Sequence, residues 1–84
     1  MSDSPVFPAL AKVIADYFRV DLASIHKQTT AMDVNGWDSM SHILLLIRIE
    51  ESFQIKLDEE SAFAAGDVAE LAQLIEHAQQ GTNV

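Results

Sequence analysis

The side chains best placed for chemistry sit in one short run, Asn35-Gly36-Trp37-Asp38-Ser39-Met40, with His42 one turn further on. Asp38, Ser39 and His42 are the residue types of an orienting acid, a nucleophile and a base. All three crowd into the start of one predicted helix. No second segment is evident to supply an oxyanion hole, so hydrolytic chemistry is not expected. A serine at a loop-to-helix junction can instead carry something. Its hydroxyl is expected to be exposed, and an anion attached there meets the positive end of the helix dipole and unpaired backbone N–H groups. A phosphodiester on Ser39 is therefore electrostatically favoured. The plainer alternative is that Asp38 and Ser39 only cap the helix, which is the commoner use of such a pair.

Metal chemistry finds no support. The chain has no cysteine, and His26, His42 and His77 are too scattered for a short ligand spacing. Asp33-Val34-Asn35 begins like a calcium loop, but Trp37 stands at the fifth position, Asp38 replaces the sixth-position glycine and Leu44 replaces the closing glutamate.

Four helical segments and one long loop position these residues. The first helix begins near Ser4–Pro8 and carries the stripe Val6, Leu10, Val13, Ile14, Tyr17 and Phe18. Periodicity fades from Arg19 to Trp37, a loop closed by the Asn35-Gly36 turn signal. Val20, Leu22, Ile25, Met32 and Val34 are the residues expected to tack it onto the core. A loop of this length in a small domain is more often functional than idle. The second helix starts at Asp38 or Ser39 and runs to about Phe53. A short third helix fits Asp58 to Ala65, closed by Gly66. The fourth opens with Asp67-Val68-Ala69-Glu70, spaced as a capping box, and continues through Leu71, Ala72, Ile75 and Ala78. Nothing alternates with period two, so the fold class is all-α.

The second helix has two apolar faces. At about 100° per residue, His42, Leu45, Leu46, Ile49 and Phe53 share one arc, while Met40, Ile43, Leu44 and Ile47 share another roughly opposite. Either this helix is buried all round, or one face builds the core and the other meets a partner or ligand. Glu50 and Glu51 tip the choice toward the second reading, since charges rarely bury unpaired. His42 is expected to be a partly buried core or capping histidine, with contact to a group on Ser39 as the functional alternative.

Length and composition bound the rest. The 84 residues are room for one domain, and 49% hydrophobic residues are enough to fold it. The balance of 13 acidic against 5 basic residues, net −8, repels phosphate backbones and anionic lipid. From Glu50 onward there are eight carboxylates and one lysine, Lys56. A partner with a basic patch complements that surface. The longest apolar run, Ile43 to Ile47, is too short for a membrane span, and no signal peptide is visible. The expected location is the cytoplasm, as a monomer, with residues 1–4 and 81–84 as frayed tails of a single domain.

Gly36-Trp37-Asp38-Ser39-Met40 resembles the Gly-x-Asp-Ser-Leu attachment motif of acyl carrier proteins. The resemblance runs from about Val13 to Ile75, through Val20, Ile25, the motif, Glu50-Glu51-x-Phe53, Asp58-Glu59-Glu60 and Val68. It implies a small four-helix bundle of acyl-carrier type, with a long loop between the first two helices and a short third helix. It also implies a carrier and not an enzyme. Ser39 matches the serine to which a phosphopantetheinyl transferase attaches 4′-phosphopantetheine from coenzyme A, with magnesium. Asp38 matches the acid before it, needed in the transferase complex. The arm's thiol carries acyl or aminoacyl groups as thioesters between a loading ligase and synthase or transferase enzymes. By the same resemblance, Met40, Ile43, Leu44, Ile47, Glu50 and Glu51 form the face that partners read, and the second helix walls a shelter for aliphatic cargo.

Several positions depart from the family pattern. Trp37 stands where a small residue is usual and either staples the loop to the helix start or shapes partner choice. Met40 replaces leucine, a mild change. Ser41 and Leu44 stand where fatty-acid-synthase carriers are commonly acidic, which points to a specialised member. The alternative function is an acidic helical interaction module without a prosthetic group.

Overall fold

The computed structural model describes residues 6–81. Four α-helices follow in order: α1 (Val6–Phe18), α2 (Ser39–Phe53), α3 (Glu59–Ala64) and α4 (Val68–Gly81). No strand occurs among the described residues. The expectation for the tails at 1–4 and 82–84, and that of a first helix beginning as early as Ser4, lie outside the described residues. Residue 81, expected in the tail, closes α4.

Helical periodicity accounts for the core. Leu10 and Ile14 from α1, Leu45 and Ile49 from α2, and Val68, Leu71 and Ile75 from α4 are fully buried. α1 packs on α2 and α4, and α3 bridges α2 to α4 through the buried Ala62. α1 and α2 both end without glycine. Arg19 (φ 58°) and Gln54 (φ 55°) adopt the left-handed conformation themselves. In each case the next residue folds back: Val20 N–H bonds the Ala15 carbonyl at 3.0 Å, and Ile55 N–H bonds the Glu50 carbonyl at 3.2 Å.

The α1–α2 connection is more ordered than a plain loop. It contains two 3₁₀ turns, Leu22–Ser24 and Ala31–Asp33, the second closed by reciprocal Thr30 and Asp33 bonds. Their short hydrogen-bonded rings bury no stripe, so hydrophobic spacing could not reveal them. Ile25 and Val34 anchor the segment in the core, and Val20 is half-buried. Leu22 and Met32 do not anchor it: both are exposed, because the 3₁₀ turns rotate them outward. The segment also serves α4, whose first amides are satisfied from outside. Val68 N–H bonds the Thr29 carbonyl and Ala69 N–H the Lys27 carbonyl, both at 2.9 Å.

Two predicted caps shift slightly. α3 spans Glu59–Ala64, and its stop is Ala65 in an extended conformation, with no left-handed glycine. At α4, Asp67 accepts from Glu70 N–H at 3.0 Å, but the Glu70 carboxylate returns to Gly66 N–H and not to Asp67.

Candidate functional site

Ser39 is the first residue of α2 and is exposed. The turn before it passes through Gly36 at φ 90°, a conformation that side chains rarely adopt. Asp38 is the N-cap, and its Oδ1 accepts the Ser41 backbone N–H at 2.9 Å. That backbone bond first, and the Ser41 hydroxyl second, hold the Asp38 carboxyl below the ordinary carboxylate value. Asp38 is thus ionised at neutral pH and fixed beside the serine.

Trp37 immediately precedes the cap and is buried. Its ring stacks between Phe18 of α1 (centroids 5.2 Å apart) and His42 of α2 (5.9 Å), each at an interplanar angle of 22°. Residues before the cap and in the first helical turn that clasp in this way fix the angle at which the chain enters the helix. Trp37 therefore staples the loop to the helix start. The aromatic row continues from His42 edge-on to Phe63 of α3, at 5.8 Å.

His42 is buried, and both ring nitrogens are engaged away from Ser39. Nδ1 accepts the Trp37 indole N–H at 3.0 Å, while Nε2 lies 2.9 Å from the Ala62 carbonyl. An indole nitrogen only donates and a carbonyl only accepts, so the ring is neutral with its proton on Nε2. It leaves no lone pair for the Ser39 hydroxyl, and the orienting-acid, nucleophile and base reading has no base.

Beside Ser39 lies a groove of about 360 Å³, walled by Trp37, His42, Phe63, Ala65 and Leu71. A second, more apolar groove of about 510 Å³ opens between α2 and α3, lined by Ile43, Leu46, Ile47, Leu57, Ala62 and Phe63. Among the described residues no cluster of histidine, cysteine, aspartate or glutamate is arranged to hold a metal ion.

The two faces of α2 separate as its periodicity predicts. Leu45, Ile49 and His42 are buried, Leu46 and Phe53 half-buried. Met40, Ile43, Leu44 and Ile47 are exposed, between 46% and 67%, and form a continuous apolar strip leading away from Ser39. Glu51 is exposed beside them. Glu50 differs from its pair: its Oε2 turns back to accept the Leu57 backbone N–H at 2.8 Å, so it ties the α2–α3 connection and only its edge borders the second groove. Phe63 is the lining residue that sequence reasoning missed. Its only signal was a large aromatic on a helix too short to show a stripe.

Residues 8–75 match the family model described as the phosphopantetheine attachment site. An acyl carrier protein from Clostridium acetobutylicum is 29% identical over 70 residues, covering 83% of this chain and 91% of that one. Acyl carrier protein 3 from Ralstonia nicotianae is 28% identical over 78 residues, covering 93% and 90%. The solution structure of holo acyl carrier protein from Geobacter metallireducens superimposes with a TM-score of 0.83 at 26% identity, covering 95% of this chain and 92% of that chain.

Proposed function

The chain belongs to the phosphopantetheine attachment-site family as an acyl carrier protein, and on that premise we propose that Ser39 is the residue that bears its 4′-phosphopantetheine. The observation that carries this is the exposed Ser39 hydroxyl at the first position of α2, opening onto the groove walled by Trp37 and His42. Family membership disfavours the reading as an interaction module without a prosthetic group.

The residues fit the group. Ser39 Oγ stands clear of the chain's own hydrogen bonds at the positive end of α2, which stabilises a phosphodiester there. Asp38 holds the helix start rigid and presents a carboxylate to the transferase. Trp37 and His42 build a firm wall beside the attachment point, so the hydroxyl is offered at a fixed angle. The arm, once attached, supplies the terminal thiol on which cargo travels as a thioester. The chain's own contribution is to carry, orient and shelter, and the chemistry on the cargo belongs to the enzymes it visits.

The face formed by Met40, Ile43, Leu44, Ile47 and Glu51 is proposed to dock the transferase, an acyl- or aminoacyl-loading ligase and synthase or transferase enzymes. The uncharged Ser41 and Leu44, at positions commonly acidic in fatty-acid-synthase carriers, support a specialised carrier over a housekeeping fatty-acid one. Glu50 contributes mainly through the loop that it ties. A monomer working in the cytoplasm, where coenzyme A is at hand, completes the proposal.

The test is intact mass before and after incubation with coenzyme A, magnesium and a broad-specificity phosphopantetheinyl transferase. Wild type is expected to gain one phosphopantetheinyl group, and Ser39→Ala none. Modification of Ser39→Ala, or none of folded unmodified wild type, overturns the assignment.

A further inference from the structure

Both bonds made by the His42 ring require it to be neutral. Nδ1 accepts the Trp37 indole N–H at 3.0 Å, and Nε2–H meets the Ala62 carbonyl at 2.9 Å. A second ring proton has to go on Nδ1, where it opposes the indole N–H, and two donors cannot make that bond. Imidazole is also the side chain whose charge ordinarily changes between about pH 5 and 8. We propose that His42 is a proton-sensitive positioning residue for the modification of Ser39. Neutral, it holds the turn before α2 in register with the helix start. Protonated, it releases Trp37 and that register is lost. This rests on the attachment at Ser39 proposed above.

The charged neighbours make the ring a two-position element. Asp38 from the α2 cap and Asp67 from the start of α4 line the same groove as His42. Each uses Oδ1 for a backbone amide, Ser41 N–H at 2.9 Å and Glu70 N–H at 3.0 Å, and a carboxylate keeps acceptor capacity beyond one such bond. α3 contributes the Ala62 carbonyl and the uncharged Phe63 ring, while its Glu59 and Glu60 line the other groove. α1 reaches the joint through Phe18, also uncharged, with Tyr17 against it and Arg48 of α2 over the Tyr17 ring. The positive end of α2 works against a charge on His42, and the two carboxylates favour one on the groove side. An imidazolium is therefore drawn toward the groove and away from the indole. The neutral ring stays with the indole.

The consequence for Ser39 follows from what Trp37 carries. The buried indole stacks between Phe18 and His42 and leads directly into the cap, Asp38, with Ser39 next in the chain. Displacement of the indole is thus passed through one residue to the angle of the hydroxyl. A reacting group misplaced by about 1 Å can lose on the order of 100-fold in rate. Glutamine separates the bonds from the proton. Its amide offers a carbonyl to the indole N–H and an N–H to Ala62, but takes up no proton near neutral pH.

The experiment compares unmodified wild type and His42→Gln at about pH 7.5 and about pH 5.5, a span that brackets ordinary imidazole titration. His26→Gln and His77→Gln serve as controls at the two exposed histidines. Trp37 is the single tryptophan, so its indole N–H gives one NMR signal. That signal should move upfield at the lower pH in wild type and both controls, and hold its place in His42→Gln. Loading from coenzyme A and magnesium by the broad-specificity transferase is then timed by intact mass. Each protein's rate at the lower pH is divided by its own rate at the higher, so comparing proteins cancels the transferase's pH response. The quotient for wild type is expected to be at least about three-fold below that for His42→Gln. No loading of wild type at either pH defeats the Ser39 reading, and the indole signal still tests the switch. Should His42→Gln lose its fold, the ring nitrogen shifts of His42 in wild type replace it, passing from the Nε2-protonated to the doubly protonated form together with the indole signal. An indole signal that ignores pH, one that moves equally in His42→Gln, a His42 ring that gains its proton while the indole holds still, or equal quotients in the folded proteins would overturn the proposal.

Discussion

The indole N–H of Trp37 donates to Nδ1 of His42 at 3.0 Å, while the two rings stack at 5.9 Å. One residue precedes the α2 cap and the other lies in the helix's first turn, so a single pair fixes where α2 begins and how the loop enters it. The opposite nitrogen of His42 reaches the Ala62 carbonyl, extending the tie to α3. Loop, helix start and α3 are thus joined through one imidazole beside Ser39.

Removing that imidazole leaves the buried Trp37 N–H unpaired, and leaves the Ala62 carbonyl with only the Ala65 N–H at 3.4 Å. The orphaned N–H costs about 1–3 kcal/mol, and the lost bond to the carbonyl about 1 kcal/mol more. His42→Ala is expected to lower the unfolding free energy by about 2–4 kcal/mol in urea melts. Trp37→Phe keeps the stack and loses only the bond to Nδ1, so it should cost less, about 1–2 kcal/mol. A loss below about 0.5 kcal/mol for His42→Ala, within the range of ordinary surface changes, would show that the joint holds nothing.

Asp38 has two roles that substitution can separate. Its carboxyl lies below its ordinary pKa because the charged form accepts the Ser41 N–H. That stabilisation is present above the ordinary carboxylate value and is lost as pH falls through the lowered one. Asparagine caps as well as aspartate but carries no charge. Asp38→Asn should therefore keep neutral-pH stability close to wild type and lose that part of the acid sensitivity, as read from melts between pH 2 and 7. If the transferase reads the charge, modification of Ser39 in Asp38→Asn slows by ten-fold or more in the intact-mass assay. An unchanged rate would leave Asp38 as a cap alone.

Adjacent acids on α2 are expected to behave differently. Glu50→Ala frees the Leu57 N–H and should cost about 1 kcal/mol, since that bond is half-buried. Glu51→Ala should change stability by less than about 0.5 kcal/mol. With a cognate partner enzyme the order reverses, and Glu51→Ala should lower kcat/KM more than Glu50→Ala does. Parallel denaturation and partner kinetics check both halves.

At Gln54 the backbone holds a left-handed conformation that disfavours any side chain. Gln54→Gly is expected to stabilise the protein by about 0.5–1 kcal/mol, because glycine adopts this position freely. A destabilised variant in urea melts would mean that the Gln54 side chain contributes more than its backbone costs.

Leu44 lies on the apolar strip, about half exposed. Leu44→Glu should leave the melting temperature within a few degrees of wild type, as a surface change does. It should also raise turnover with a fatty-acid-synthase-type partner several-fold, by restoring an acid to a basic docking patch. No gain in such an assay would remove electrostatics as an argument for the specialised carrier proposed above.

Much of this protein was legible without coordinates. The four helices, the cap at Asp38, the serine on the first turn of α2 and the division of α2 into a buried and an exposed face all follow from spacing within one segment. Helical geometry fixes the direction of each side chain relative to its neighbours on the same helix, so Leu45 and Ile49 must oppose Ile43 and Ile47. Which partner meets those side chains is a different matter. The Glu50 bond to Leu57, the loop carbonyls of Lys27 and Thr29 on the amides of α4, the outward turn of Leu22 and Met32, and the place of Phe63 between two grooves depend on how separate segments pack. The neutral state of His42 belongs with them, since its partners come from the loop and from α3. Periodicity describes one element at a time. Hydrogen bonds and cavities between elements exist only once the chain has closed on itself, so tertiary structure alone decided them.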